Sequence, residues 1–284
     1  MNEKQDMNEK QDMNEKQNMK SQDKNKSSIL NKLILIVGII MIVFAAVQLI
    51  RIFMDYHKSD ALYNDLNKEY VHTPSQNDTE EADPEIPWYD LASVDLDKVK
   101  EQNADVIGWL YFENEDISYP ILFSGDDETY LRTALDGSHA TAGSIFMEGK
   151  NSKNFTDSHT IVYGHNMKNL SMFGKLKYYK EDGYYEEHPF FQIITDEVKY
   201  RYQIFAYSDV EADSNVFTVP FAADQSFQTF LEQLYHDSYK DTGVNAENTD
   251  KVVTLSTCSS DDKRFVVHAV RTDVYKMNGD QTNE

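Results

Sequence analysis

The stretch "VVTLSTCSSDDKRFVVHAV", residues 252–270, sets the chain's only cysteine, Cys258, between two apolar, β-branched runs. Runs of that composition, 252–257 and 264–270, read as strands, and the polar, acidic segment between them reads as a turn. If the two strands are neighbours, the turn returns Arg264 close to Cys258. A lone thiol at a strand end is either a small buried hydrophobe or a nucleophile. The compartment in which it sits bears on the choice.

Residues 33–50, "LILIVGIIMIVFAAVQLI", carry no charge and one strongly polar side chain, Gln48. At about 1.5 Å per residue this run approaches the roughly 30 Å hydrocarbon core of a bilayer. A cleaved signal peptide is the competing reading, but the run exceeds the usual apolar region and no small-x-small cleavage site follows. Lys20, Lys24, Lys26 and Lys32 crowd the N-terminal flank, against Arg51 and Lys58 on the other side. That bias predicts a single-pass membrane anchor with a cytoplasmic N-terminus and an extracellular body. One cysteine in an exported domain forms no internal disulfide and invites oxidation, so its presence calls for a reason.

Charge is divided unevenly. Residues 1–32 hold seven Lys and six Asp or Glu, whereas the remainder holds 20 basic and 43 acidic residues, a net −23. So acidic a body argues against nucleic acid as a partner.

The first eighteen residues repeat a hexapeptide, "MNEKQD", "MNEKQD", "MNEKQN". Residues 1–32 are expected to form a disordered cytoplasmic tail. Residues 33–50 are the anchor, and 51–87, which end in the proline- and acid-rich "HTPSQNDTEEADPEIP", are a juxtamembrane stalk or linker that can begin as a helix. The folded body is expected over 88–276, with a polar tail at 277–284. Within it, short β-like runs dominate at 108–112, 117–122, 143–147, 160–163, 190–195, 199–207, 251–255 and 265–275. Helical segments are expected at 96–103, 128–135, 170–179 and 223–236. The last spaces Phe227, Phe230, Leu231 and Leu234 along one face. Many short strands with few crossover helices point to a mostly β fold, a largely antiparallel barrel or sandwich with inserted helices.

Thiol catalysis needs a proton carrier and something to stabilise an oxyanion. Of eight histidines, His57 and His72 fall outside the body. His139, His159, His188 and His236 sit in polar or turn-like settings that read as solvated imidazoles. His268, inside "RFVVHAV", reads as buried. His165 ends the β-run "TIVYG" and opens a loop, a position that presents side chains into clefts. Arg264 offers a charged fork of donors for a carbonyl or oxyanion. A surface salt bridge with Asp261 or Asp262 fits the spacing equally well. Lys263 would face the other way.

"VVTLSTC" followed by "RFVVHA", with "IVYGHN" about ninety residues upstream, resembles the sortases, the cysteine transpeptidases of Gram-positive bacteria. The resemblance spans roughly 88–276 and includes "ADVIGWLYFE" and "YPIL". The serine in "TLSTC", the helical lead-in and the long helix-bearing stretch 209–250 are most similar to class B. The resemblance implies a closed eight-stranded β-barrel with N-terminal helices and a helix inserted before the cysteine strand. It implies that Cys258 attacks the threonine carbonyl of a C-terminal sorting motif on a secreted protein and that His165 moves the protons. Arg264 would hold substrate and oxyanion, and a peptidoglycan-precursor amine would resolve the thioacyl enzyme. A hydrolase passing the acyl group to water, and an anchored binding module with a merely buried cysteine, are the alternatives. Ser256, Thr257 and Asn166 are candidate substrate contacts. Neither a metal nor another cofactor is expected.

Overall fold

The computed structural model describes the main chain of residues 3–74, 86–258 and 262–277, leaving undescribed the side chains of 3–12, 14–18, 20–31 and Cys258. The chain divides into two units, Met1–Met54 and Asp55–Glu284. Helix α1 (Glu3–Tyr70) contributes to both.

In the first unit, α1 begins inside the hexapeptide repeat, so the expectation of a disordered tail is corrected to helix. Met, Glu, Lys and Gln are all good helix formers, and an apolar helix downstream removes the cost of nucleation. The side chains of the 33–50 run are almost all exposed. Among the described residues this is one helix long and apolar enough to cross a membrane.

The second unit is built on a closed barrel whose strands run β10-β8-β7-β3-β4-β5-β6-β9. These are β3 (Val106–Phe112), β4 (Ser118–Leu122), β5 (Ile145–Met147), β6 (His159–Tyr163), β7 (Phe190–Ile194), β8 (Val198–Glu211), β9 (Val252–Cys258) and β10 (Lys263–Lys276). All eight fall where β-branched and aromatic runs predict them. The barrel is mixed rather than antiparallel throughout, because β4 pairs with β5 and β6 with β9 in parallel. Composition alone does not carry strand direction. A short ribbon of β1 (Val71–His72) and β2 (Ser93–Val94) precedes helix α2 (Leu96–Gln102).

Two apolar clusters fill this unit. The larger centres on Trp109, Leu110, Phe112, Ile193, Tyr202, Leu255 and Val267. Buried Trp109 satisfies its indole N–H on Ser118 Oγ at 2.9 Å. The smaller cluster lies under helix α4 (Gln225–Asp237), which buries Phe227, Phe230, Leu231 and Leu234 as its spacing predicts. Asp224 caps that helix by accepting from Ser226 N at 2.8 Å.

Residues 55–70 of α1 do not stand off from the barrel as a stalk. Ser59, Tyr63, Leu66 and Tyr70 recur at helical intervals and are all buried, and the last three belong to the larger cluster. That face mixes a serine, two tyrosines and a leucine, so its apolar periodicity is faint beside the run at 33–50.

Candidate active site

Strand β9 alternates between the clusters. Val253 and Leu255 join the larger one and Val252 the α4 cluster, and Cys258 is the last residue of the strand. In the antiparallel ladder to β10, Arg264 lies directly opposite Cys258. Opposed residues project to the same side of a sheet, with Cα atoms about 4.5–5.5 Å apart. Lys263 falls on the other face and approaches Glu211 at 3.6 Å. On the far side of β9, Tyr163 is in parallel register with Ser256, and Gly164 N donates to Ser256 O at 3.1 Å. Continuing that register brings His165 level with the end of β9. The end of β9 is thus flanked by His165, two residues past β6, and by Arg264 on β10.

The glycine before His165 is a steric requirement. A Cβ on Gly164 would lie 2.4 Å from Ile145 Cδ1 and 2.6 Å from Phe173 Cδ2, so a larger residue would have to displace the Ile145 side chain and the Phe173 ring. His165 is half-buried and donates from Nε2 to Leu131 O at 2.7 Å. A carbonyl can only accept, so Nε2 keeps its hydrogen and Nδ1 is the nitrogen free to exchange a proton. Burial, helped by the nearby Arg132 charge, lowers the His165 pKa below the ordinary histidine value, against the opposing pull of the Leu131 carbonyl.

These residues border a cavity of about 190 Å³ lined by His165, Arg264, Ser256, Thr257, Tyr163, Gly164, Leu131, Phe146 and Asp127. The Ser256 and Thr257 hydroxyls are buried and have no hydrogen-bond partner among the described residues. Leaving such a group unpaired costs about 1–3 kcal/mol. Asn166, by contrast, is exposed, bridges Met172 through its main chain and does not line the cavity. Arg264 Nη1 donates to its neighbour's carbonyl, Lys263 O, at 3.1 Å. The alternative partner Asp261 lies outside the described residues. Tyr163 donates to Glu148 Oε2 at 2.8 Å, and burial raises the Glu148 pKa, with Asp127 adding to it.

One histidine assignment is overturned. His159 is not solvated but fully buried, at the start of β6 in register with Val252 of β9 and against Phe221 and Phe230. Its hydrogen-bond chain has one consistent direction. Nδ1–H donates to Thr218 O at 3.2 Å, so Nε2 accepts from Thr254 Oγ1 at 2.7 Å. Thr254 in turn accepts from His268 Nδ1–H at 2.8 Å. Burial pushes His159 down to about 4 and His268 to about 3, so both are neutral near pH 7. His268 is buried as its strand predicts. His188 is also half-buried, stacked on Tyr184 at 4.2 Å. The polar neighbours of His159 and His188 in sequence conceal covers that come from elsewhere in the fold. Leu131, which accepts from the His165 imidazole, leaves no sequence signal because only its carbonyl acts.

The Sortase domain family matches residues 110–272. The chain is 34% identical over 167 residues to Sortase B of Listeria monocytogenes, covering 59% of this chain and 68% of the relative. It is 27% identical over 232 residues to Sortase B of Staphylococcus aureus, covering 80% and 91%. Among solved structures it is similar to Bacillus anthracis sortase B in complex with AAEK1, with a TM-score of 0.65 at 27% identity, covering 77% of this chain and 98% of that one. The Staphylococcus aureus sortase B structure gives 0.60 at 30% identity, covering 64% and 87%.

Proposed function

This chain belongs to the sortase family, in its class B subtype, and from that premise we propose a division of labour in which Cys258 is the nucleophile, His165 the proton carrier and Arg264 the oxyanion ligand. The observation that carries the proposal is the β9 register, which sets Arg264 opposite Cys258 while His165 closes the neighbouring strand. The enzyme is a cysteine transpeptidase acting on surface proteins that bear a sorting motif, with peptidoglycan as the destination.

In the proposed first half-reaction, Cys258 gives up its proton to His165 Nδ1 and its sulfur attacks the threonine carbonyl carbon of the C-terminal motif. The carbonyl π electrons move onto oxygen, where the Arg264 guanidinium offsets the charge with a fixed fork of donors. Collapse breaks the peptide C–N bond, and His165 Nδ1–H protonates the departing amine. In the second half, neutral His165 takes a proton from an incoming amine of the cell-wall precursor. That amine attacks the thioester carbon, and Cys258 leaves as thiolate. A His165 pKa held low by burial keeps the base form available near neutrality. Ser256 and Thr257 supply hydroxyls to the bound peptide. Residues 33–50 anchor the enzyme with its N-terminus in the cytoplasm and the barrel outside, where both substrates are found.

A panel of quenched peptides carrying sorting motifs of the N-P-Q-T-N and P-x-T-G kinds tests this reading. With an added amine, at least one motif is expected to be cleaved and joined to the amine, and Cys258→Ala to show no turnover. Cleavage without joining would mark a hydrolase. No cleavage of any motif in the presence of amine would remove the proposal's main support.

A further inference from the structure

Two constraints hold His165, and both lead to the same helix. The first acts on the ring through Leu131 O. The Leu131 peptide is backed by Gly143, whose φ is +55° and where an added Cβ would lie 2.7 Å from Leu131 O and 2.5 Å from Tyr130 O. Gly143 O in turn accepts from Tyr63 Oη at 2.8 Å, and Thr141 N donates to Asp55 Oδ2 at 3.1 Å. Tyr63 and Asp55 are both on α1. Any shift of Gly143 would therefore press on or release the carbonyl that orients the imidazole.

The second constraint acts on the main chain. His165 O accepts from Phe173 N at 3.0 Å, closing the loop at 166–172. Leu170 and Met172 in that loop have φ of +69° and +53°, a region that residues with a side chain adopt rarely and at a cost of roughly 1 kcal/mol or more each. External anchors hold it there. Asn169 Nδ2 donates to Asp60 Oδ1 and Oδ2 at 2.9 and 2.8 Å. Met172 N donates to Tyr119 Oη at 2.9 Å, and the Tyr119 ring meets Tyr63 edge-on at 5.4 Å. Asp60 and Tyr63 are three residues apart, neighbours on one helix face.

We infer that residues 55–70 of α1 are a positioning element for His165. Tyr63 sets the Leu131 carbonyl that fixes the ring's tautomer, and Asp60 sets the loop that carries its main chain. This rests on the catalytic reading of His165 given above. Asp60 and Tyr63 touch neither the substrate cavity nor the reacting atoms, so they act only through the histidine. The other charged or titratable groups around that imidazole among the described side chains are Arg132, and Asp127, Tyr163 and Arg264 on the shared cavity, and the substitutions below leave all four in place.

The test uses the full chain in detergent micelles with a cleavable sorting peptide and an added amine. Tyr63→Phe removes one hydroxyl and keeps the ring. Asp60→Ala removes both acceptors of Asn169, and Asp60→Asn restores one. Tyr63→Phe and Asp60→Ala are each expected to lower kcat roughly tenfold, about what one lost hydrogen bond supplies. KM should stay within twofold, the pH profile of kcat/KM should move, and Asp60→Asn should recover most of the rate. The 15N spectrum of the labelled His165 imidazole, which needs no substrate, should change from one tautomer to a mixture. A wild-type pH profile and nitrogen spectrum in both Tyr63→Phe and Asp60→Ala overturns the inference, whatever happens to thermal stability. Full turnover in His165→Ala would instead mean that the catalytic reading itself has failed.

Discussion

Replacing Arg264 by lysine separates charge from geometry. Lysine keeps the positive charge but offers a point donor on a flexible stem in place of a planar fork. Because Arg264 sits opposite Cys258 in the β-ladder, we expect kcat/KM to fall about 10²–10³-fold in Arg264→Ala, the range typical of a lost oxyanion donor. Arg264→Lys should recover only a small part, as steady-state kinetics on the cleaved peptide would read. Full recovery by lysine would show that charge alone matters. The three residues of the proposed triad are legible in the sequence because each acts through its own side chain and two of them share a hairpin. Leu131 and Gly143 act through backbone atoms, and nothing in residue identity announces a carbonyl aimed at an imidazole.

Among the elements, the chain from His268 through Thr254 to His159 and Thr218 ties β10, β9 and β6 to the segment that leads into α4. Both histidines are depressed from an ordinary 6.5, to about 4 for His159 and about 3 for His268. The unfolded chain therefore binds protons that the folded chain refuses, so stability falls as pH drops from about 6.5 toward 4 and levels off below the folded values. The slope approaches about 1.4 kcal/mol per pH unit for each histidine. Denaturant midpoints across this range should show that acid limb, and His159→Gln should make it shallower. An identical limb in the variant would assign acid sensitivity to other groups. Helix α4 is legible because its four buried apolar residues keep a clean helical spacing. The cover it places over His159 is not legible, since the helix and that histidine are far apart in sequence and no local pattern links them.

For the whole molecule, the boundary of the folded body matters most. Composition places it near Trp88, after the acidic linker, whereas the compact unit starts at Asp55. Tyr63, Leu66 and Tyr70 lie in the core cluster, and burying side chains of this size contributes about 1.5–3 kcal/mol each. A chain shortened to begin at Asp55 should unfold at the same urea midpoint as the full barrel and retain its turnover of soluble peptide. One beginning at Trp88 should lose several kcal/mol of stability, and equal midpoints would return residues 55–70 to the role of a spacer. Closed-barrel topology was implied by the resemblance, while strand direction had to come from the structure. The Cys258–Arg264 half of the site is a local hairpin, but His165 reaches it only through the parallel β6–β9 pairing of segments about ninety residues apart. Pairings of that range form late, after their loop-closure entropy has been met. On the proposed roles, His165 therefore joins the Cys258 strand end only as the barrel shuts, so a half-folded chain would hold the proposed nucleophile without its proton carrier.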